Sequence, residues 1–262
     1  MSTVKTYMNA LVAALLSKPT TGFLVGAGIS VAAGYPDFRS KDGIYARTAH
    51  LQLPNPEALF DIRHFRKHPQ DFFSAAQGVV REDLGPTQAH YFIKAVQDRG
   101  LLEVVVTQNI DGLERKAGVL VEKLVEPHGS NTSSSCIDCG ADFSNAQMRL
   151  LLHRGEIAYC RHCGGLAKPN VVFFGEAIRM KAAEVRSRVE KCSLFIVMGT
   201  SLVVQPVASV AGYPSTNAIR VLINKETPKN FGSRPRDLVL QGDCEVLCEE
   251  VRRRLGWTTP AL

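Results

Sequence analysis

Residues 26–40, GAGISVAAGYPDFRS, constrain the fold more than any other stretch, because three backbone requirements follow directly on an apolar run. Thr21–Val25 reads as a strand, and Gly26-Ala27-Gly28 as a tight turn whose backbone approaches a ligand where a Cβ would collide. Ser30, Ala32 and Ala33 suit a short helix with free N–H groups facing a pyrophosphate. The usual Gly-x-Gly-x-x-Gly spacing is incomplete, since Val31 stands in the third position and the next glycine is Gly34. A strand-to-helix turn of any α/β domain would carry the same pattern. Gly34-Tyr35-Pro36 then stops the helix, and Asp37-Phe38-Arg39-Ser40 gathers an acid, an aromatic and a base in a loop able to close over a cofactor. A solvated turn with one buried Phe is the plainer alternative.

A chain of 262 residues with 45% hydrophobic content has room for one core and a small module. Its net charge of +6 favours acidic partners only weakly, and with no run of five Lys or Arg no direct nucleic-acid site is expected. The apolar stretch 11–16 is too short for a membrane span and lacks a cleavage site, which predicts an intracellular protein of the cytoplasm and/or nucleus. Four of the seven cysteines form the pairs Cys136-x2-Cys139 and Cys160-x2-Cys163. Such knuckles supply four thiolates to a closed structural zinc, with a redox dithiol pair as the alternative, and leave no position for a catalytic water. His162, inside the second knuckle, is expected to be exposed rather than a ligand.

Residues 3–17 read as a helix leading into the first strand, and the unit that follows opens a doubly wound parallel sheet. Helical pieces broken by Pro54, Pro56 and Pro69 come next, with Phe60, Phe65, Phe72 and Phe73 as core residues. Residues 86–99 predict a helix with Pro86 in its first turn, and residues 104–106 a buried strand ending at Thr107-Gln108-Asn109. Polar residues at the carboxyl end of a parallel strand line the ligand crevice, which places Gln108, Asn109 and Asp111 against whatever the 26–40 loop holds. A strand cap followed by a helix over 112–117 is the other reading. Residues 124–130 predict a short strand running into a loop, where His128 could serve as a neutral general base. The segment 168–176, KPNVVFFGE, is either an edge that pairs with a peptide or an internal strand. Further strands end at Gly199-Thr200-Ser201, Asn224-Lys225-Glu226 and Gly242-Asp243-Cys244, so every candidate site residue follows a strand.

Taken together and in this order, GAGIS, GYPDFRS, GIY, TQNIDGL, His128-Gly129, the four cysteines, KPNVVFFGE, GTSL, INKE and GDC resemble the sirtuins, NAD-dependent protein-lysine deacylases. The likeness covers nearly the whole chain and is greatest to the class of the yeast founder and the human cytosolic and mitochondrial deacetylases. It implies an α/β fold, with a Rossmann-like doubly wound parallel sheet from residues 1–40, 86–130 and 170–262. Residues 41–85 and 131–169 would form an inserted small zinc-ribbon and helical module. It also implies NAD-dependent removal of acetyl, or longer apolar acyl, groups from the lysines of a protein tail, histone or other, by a monomer. The products would be nicotinamide, deacylated lysine and 2′-O-acyl-ADP-ribose.

By the same resemblance Gly26, Ala27, Gly28 and Ile29 would hold the pyrophosphate side, and Asp37, Phe38 and Arg39 the mobile cofactor loop. Gln108, Asn109, Ile110 and Asp111 would surround the nicotinamide and its ribose, and Gly199, Thr200, Ser201, Asn224, Lys225, Glu226 and Cys244 would line the adenosine side. His128 would be the catalytic base, and Asn109 would orient ribose and water. Val171, Phe173 and Phe174 would grip the acyl-lysine stem and the 171–175 backbone would pair with the substrate peptide, with Val172, Gly175 and Glu176 also counted as substrate-binding. Cys136, Cys139, Cys160 and Cys163 would hold Zn2+ away from the chemistry. Glu114 stands where the family often has His and is read as a helix-surface residue; Tyr35 replaces a commoner Ile or Val. Ala76 and Val79 occupy the positions where desuccinylating relatives carry Tyr and Arg, so an acidic acyl group would meet no cation. The alternatives are a mono-ADP-ribosyltransferase and a non-catalytic NAD-sensing reader of acylated tails.

Overall fold

The computed structural model describes residues 2–36, 43–51, 53–77, 84–229 and 231–257. Its main sheet is made by the apolar runs that the sequence marks as strands. These are β1 (Thr21–Val25), β2 (Leu102–Thr107) and β3 (Leu124–Val125), and later in the chain β7 (Leu194–Met198), β8 (Ile219–Asn224) and β9 (Asp237–Gln241). All pair in parallel in the order β3-β2-β1-β7-β8-β9. The chain winds outward from β1 in one direction and then, from β7, in the other, which makes the β1/β7 junction the topological switch point.

Each central strand is buried on both faces, and its alternate residues enter different cores. Phe23, Val25, Val105 and Ile196 pack beneath α1 (Ser2–Leu16), α5 (Gln88–Asp98) and α9 (Cys244–Leu255). Leu24, Val104, Val106, Phe195 and Val197 pack beneath α8 (Ala182–Glu190) and the 3-10 turn Val207–Gly212. Arg220 and Asp237 tie β8 to β9 through paired contacts of 2.8 and 2.6 Å, with side chains only 4% and 1% exposed. Burial alone would raise the Asp237 carboxyl, but the Arg220 guanidinium and two backbone N–H donors hold it below its usual range.

The smaller unit contains the antiparallel sheet β5-β4-β6, made by β4 (Gly129–Cys136), β5 (Asp142–Phe143) and β6 (Ala167–Val171). With it pack α3 (Ile62–Lys67), α4 (Pro69–Ala76) and α7 (Asn145–Arg154); the short α2 (Ile44–Arg47) precedes them in the chain, and the single turn α6 (Leu113–Lys116) follows β2. Phe65, Phe72 and Phe73 are buried as expected, and Phe60 packs against their cluster. Phe173 joins them, with ring centroids 5.5 Å from Phe65 and 5.2 Å from Phe72.

Three local expectations change. The stretch after Gly26 is two 3-10 turns, Ala27–Ile29 and Val31–Ala33, closed by i→i−3 bonds from the Ser30 N–H to Ala27 (3.0 Å) and the Gly34 N–H to Val31 (2.9 Å), and Gly34 in the left-handed region ends the second. Helix α5 starts at Gln88 rather than at Pro86, since Thr87 is its N-cap and lies against the His90 ring. The expected loop at residues 129–130 is the start of β4, held by β6 across the Gly129↔Val171 register.

The sheet halves meet at two glycines. A Cβ on Gly28 would lie 2.6 Å from the Gly199 Cα and 2.9 Å from its carbonyl oxygen, whereas one on Gly212 meets nothing within 4 Å. Gly28→Ala is therefore expected to destabilise the fold by about 1–3 kcal/mol and Gly212→Ala by much less, as read from denaturant midpoints.

Candidate active site and metal centre

At the switch point the backbones following β1 and β7 lock together. The Gly26 N–H donates to the Met198 carbonyl (3.1 Å) and the Gly28 N–H to the Gly199 carbonyl (2.8 Å). Gly199 has a φ of +61°, and a Cβ there would stand 2.5 Å from the Ile29 nitrogen. The close approach that requires these glycines is thus first an approach of backbone to backbone. Beyond it, the Gln108 N–H donates to the Val25 carbonyl (2.8 Å), and Thr200 Oγ1 donates to Gln108 Oε1 (2.6 Å). The loops after β1, β2 and β7 are thereby one hydrogen-bonded rim.

A cleft opens beside this rim. Ala27, Ser30, Asn109, Ile110 and Asp111 line it from the sheet. From the smaller unit it is walled by Phe60, Phe72, Ala76, Leu152 and Val171, and Tyr35 stands at its edge with Pro36. Asn109 Nδ2 donates to the Gly26 carbonyl and to Ser30 Oγ, both at 3.3 Å. Ser30 Oγ in turn donates to Asp111 Oδ2 (2.8 Å), and the Leu113 N–H to Asp111 Oδ1 (2.9 Å). The sequence read Ser30 only as a helix residue; here it is buried and links the Asn109 and Asp111 side chains.

His128 does not line this cleft but lies half-buried next to the rim, its Nδ1 2.9 Å from the Gln108 carbonyl. A carbonyl can only accept, so Nδ1 carries the proton and Nε2 is the basic nitrogen. Burial pulls the imidazole below its usual pKa, with the Gln108 carbonyl partly offsetting it, and the ring is neutral at pH 7.

Glu114 is a correction. It is not on a helix surface but 1% exposed, because the one-turn α6 starts from Gly112 in the left-handed region and directs Glu114 inward, where Thr107 Oγ1 donates to it at 2.6 Å. Burial first, and the neighbouring Asp111 charge second, raise its carboxyl to about 8. Burial also raises Asp111.

The other predicted residues are dispersed along the same strand ends. Asn224 Nδ2 donates to the Thr200 carbonyl (3.3 Å), Ser201 and Glu226 are exposed, and Lys225 pairs with Asp243 at 3.1 Å. Cys244 is buried at the start of α9 with its thiol on the Ile223 carbonyl (3.3 Å). Asp37, Phe38, Arg39 and Val79 lie outside the described residues.

Along 171–176 the structure decides between edge and internal strand. The Val172 N–H donates to the His128 carbonyl (2.8 Å), the Phe174 N–H to Phe60 (2.7 Å) and the Ile62 N–H to Phe174 (3.0 Å), so at Phe174 the backbone is paired internally. The Phe173 ring is buried in the aromatic cluster and does not line the cleft. Phe174 is 45% exposed. The Glu176 carboxylate turns back onto the Phe173 N–H (2.7 Å) and the buried Lys168 ammonium (3.0 Å).

The four knuckle cysteines converge. Their sulfurs lie within 4.8 Å of one another, with Cys136···Cys163 at 3.5 Å and Cys139···Cys160 at 3.7 Å. Disulfides need about 2.05 Å, whereas tetrahedral thiolates around zinc sit about 3.8 Å apart. The N–H groups of Asp138, His162 and Gly165 each point at a cysteine sulfur from 3.4 Å, the arrangement that stabilises thiolate charge. The donor set fits Zn2+, and His162 is exposed outside it.

A cleft at the switch point of a doubly wound sheet is where such domains take dinucleotides, and this defines the class: an α/β nucleotide-crevice protein carrying a tetrathiolate module. The chain belongs to the Sir2 family, whose sequence profile matches residues 26–206. It is 42% identical over 238 residues to the NAD-dependent protein deacetylase HST2 of Candida albicans, covering 89% of this chain and 72% of that protein. It is 46% identical over 235 residues to the NAD-dependent protein deacetylase hst2-1 of Emericella nidulans (89% and 65% covered). To the NAD-dependent protein deacetylase sirtuin-2 of Danio rerio it is 40% identical over 255 residues (89% and 67%).

Elemental analysis is expected to find one zinc per chain. Chelation or Cys139→Ser should lower the melting temperature and expose the amides of β4–β6 to exchange before those of the main sheet, because the metal closes only the smaller unit.

Proposed function

We propose that this chain is an NAD-dependent protein-lysine deacetylase, acting on acetylated protein lysines and tolerating longer apolar acyl groups. The observation that carries the reading is the joining of Asn109, Asp111 and the glycine turn in one cleft at the switch point, with a neutral His128 fixed on the same rim. The relatives' activity and the fit of the cleft agree with it. We assign residues 1–40, 86–130 and 170–262 to the cofactor domain and the remainder to the zinc-binding module.

NAD supplies an electrophilic ribose carbon with nicotinamide as leaving group. The chain's part is to orient and to move one proton. Asn109, held by Gly26 and Ser30, presents its amide to ribose and water, and Asp111 offers acceptors to the carboxamide end of the cofactor. His128 Nε2 takes the proton of a ribose hydroxyl, and its Nδ1–H bond to Gln108 keeps that nitrogen basic. Thr200, Ser201, Asn224, Lys225, Glu226 and Cys244 are assigned to the adenosine side, and Asp37, Phe38 and Arg39 to its covering loop. Val171 and Phe174 are assigned to the acyl-lysine, with Gly175 and the Val172 and Glu176 backbone meeting the peptide. Phe173 supports them from beneath. A histone or another protein tail as substrate, a monomeric state and an intracellular site complete the reading. No described helix is long and apolar enough to cross a membrane.

Turnover of an acetyl-lysine peptide, followed by mass spectrometry with and without NAD, tests the proposal. Acetyl loss should require NAD and yield O-acetyl-ADP-ribose, and His128→Ala and Asn109→Ala should each lower the rate about 10²–10⁴-fold. Because the His128 pKa is depressed and the neutral form is active, the acid limb of kcat/KM should lie below the ordinary histidine value of about 6.5. Nicotinamide release without acetyl loss would favour ADP-ribosyl transfer instead, and no reaction at all a reader.

The cleft is walled by Phe60, Phe72 and Ala76, and its lining among the described residues offers a longer acyl chain apolar surface but no cation. Ala76→Phe should narrow it, lowering kcat/KM for a long saturated acyl group about tenfold relative to acetyl in paired peptide assays.

A further inference from the structure

Behind Asp111, on the side away from the cleft, three ionisable side chains from two elements converge. One ring nitrogen of His90 and one carboxylate oxygen each of Asp111 and Glu114 lie within 4.8 Å of one another. The residues are 0%, 8% and 1% exposed.

Hydrogen bonding holds His90 in place beside these carboxyls. Thr87 Oγ1 donates to the Ile29 carbonyl at 2.7 Å and lies 2.8 Å from His90 Nδ1, and the Thr87 N–H donates to Nδ1 at 3.2 Å. His90 Nε2 is fully buried and has no hydrogen-bond partner among the described residues. Burial pulls the imidazole down to about 3, so the ring is neutral and supplies no positive charge to offset the carboxyls.

Two buried carboxylates this close do not both ionise. Asp111 accepts from Ser30 Oγ and from the Leu113 N–H and feels the Lys116 charge, all of which favour its anion. Glu114 accepts the Thr107 hydroxyl and its own backbone N–H, but it is the deeper of the two and the Asp111 and Glu126 charges both oppose its anion. The proton therefore belongs to Glu114.

We propose that Glu114 is a positioning residue for the cleft: it holds the one carboxyl proton of the trio, beside a neutral His90, so that Asp111 alone carries negative charge towards the ligand. The functional side of this rests on the reading that the cleft takes nicotinamide; the placement of the proton does not. The other charges that face the trio are Lys116 and Glu126 beside the carboxyls, and Glu245 and Arg252 on α9 against the start of α5. Glu126 opposes ionisation of both carboxyls, and Lys116 favours that of Asp111.

Infrared spectroscopy on the whole chain tests the placement without any substrate. Wild type at neutral pH should show a buried carboxylic-acid carbonyl stretch that titrates away with a midpoint of about 8, and Glu114→Gln should lack it. No acid band in wild type, or the same band in the variant, overturns the proposal. Kinetics test its consequence. In wild type, nicotinamide inhibition should weaken about tenfold between pH 7 and pH 9 as a second charge appears behind Asp111. Glu114→Gln, which stays neutral, should lose that break. A break retained in the variant overturns the proposal, as does a tenfold weaker inhibition by nicotinamide at pH 7, which would mean that an ionised Glu114 is needed. An infrared result as expected from a chain without deacetylase activity would remove the functional reading and leave the proton placement standing.

Discussion

The backbone contact between Gly28 and Gly199 is the constraint on which the rest of the site depends. At the switch point β1 and β7 run side by side, and the loops that leave them must cross in the space of one peptide layer. Only glycine on both sides allows it, and the resulting hydrogen bonds set the height of Gly26, Thr200 and Gln108 relative to one another. The rim then positions polar groups that come from far apart in the chain without a dedicated scaffold. Asn109 reads its orientation from the Gly26 carbonyl, and His128 reads its tautomer from the Gln108 carbonyl. Rigid backbone acceptors serve this purpose better than mobile side chains, because they cost no ordering when a ligand arrives.

The smaller unit is joined to that rim through β4 and β6, which begin and end beside His128. The Val172 N–H bond to the His128 carbonyl and the Lys168–Glu176 pair hold the segment that links aromatic core to cleft. Breaking such a buried pair leaves an uncompensated charge, so Lys168 and Glu176 are constrained together even though neither lines the cleft. The thiolate cluster closes the far end of this sheet and fixes its geometry at a distance from the chemistry.

Much of this was legible in the sequence. Strands with continuous apolar runs were readable because a parallel sheet buries both faces, and the candidate residues were readable because each follows such a strand. The cysteine spacing alone picked out the four thiols that converge in the smaller unit. The illegible parts were those in which a side chain's environment comes from another element. Glu114 reads as a surface residue because nothing in its own turn shows that Thr107, Asp111 and His90 surround it. The packing of Phe173 in the aromatic cluster and the pairing of Glu176 with Lys168 were likewise not readable from their own segment, since the partners come from other elements. Glycine in the 26–28 turn was read as a close approach to a ligand, and the structure adds a close approach to Gly199, a residue of another strand end that the turn itself does not announce.

What the sequence determined by itself is local and periodic: the parallel strands, the tight turn, the thiolate knuckles and the family. Those features follow from backbone sterics, side-chain alternation and fixed ligand spacing, each contained within a few residues. Tertiary structure alone decided which polar groups are buried together, and therefore which nitrogen of His128 is basic and that Glu114 lies next to Asp111. Protonation depends on desolvation and on charges within a few ångströms, and those are set by chain segments that only folding brings into contact.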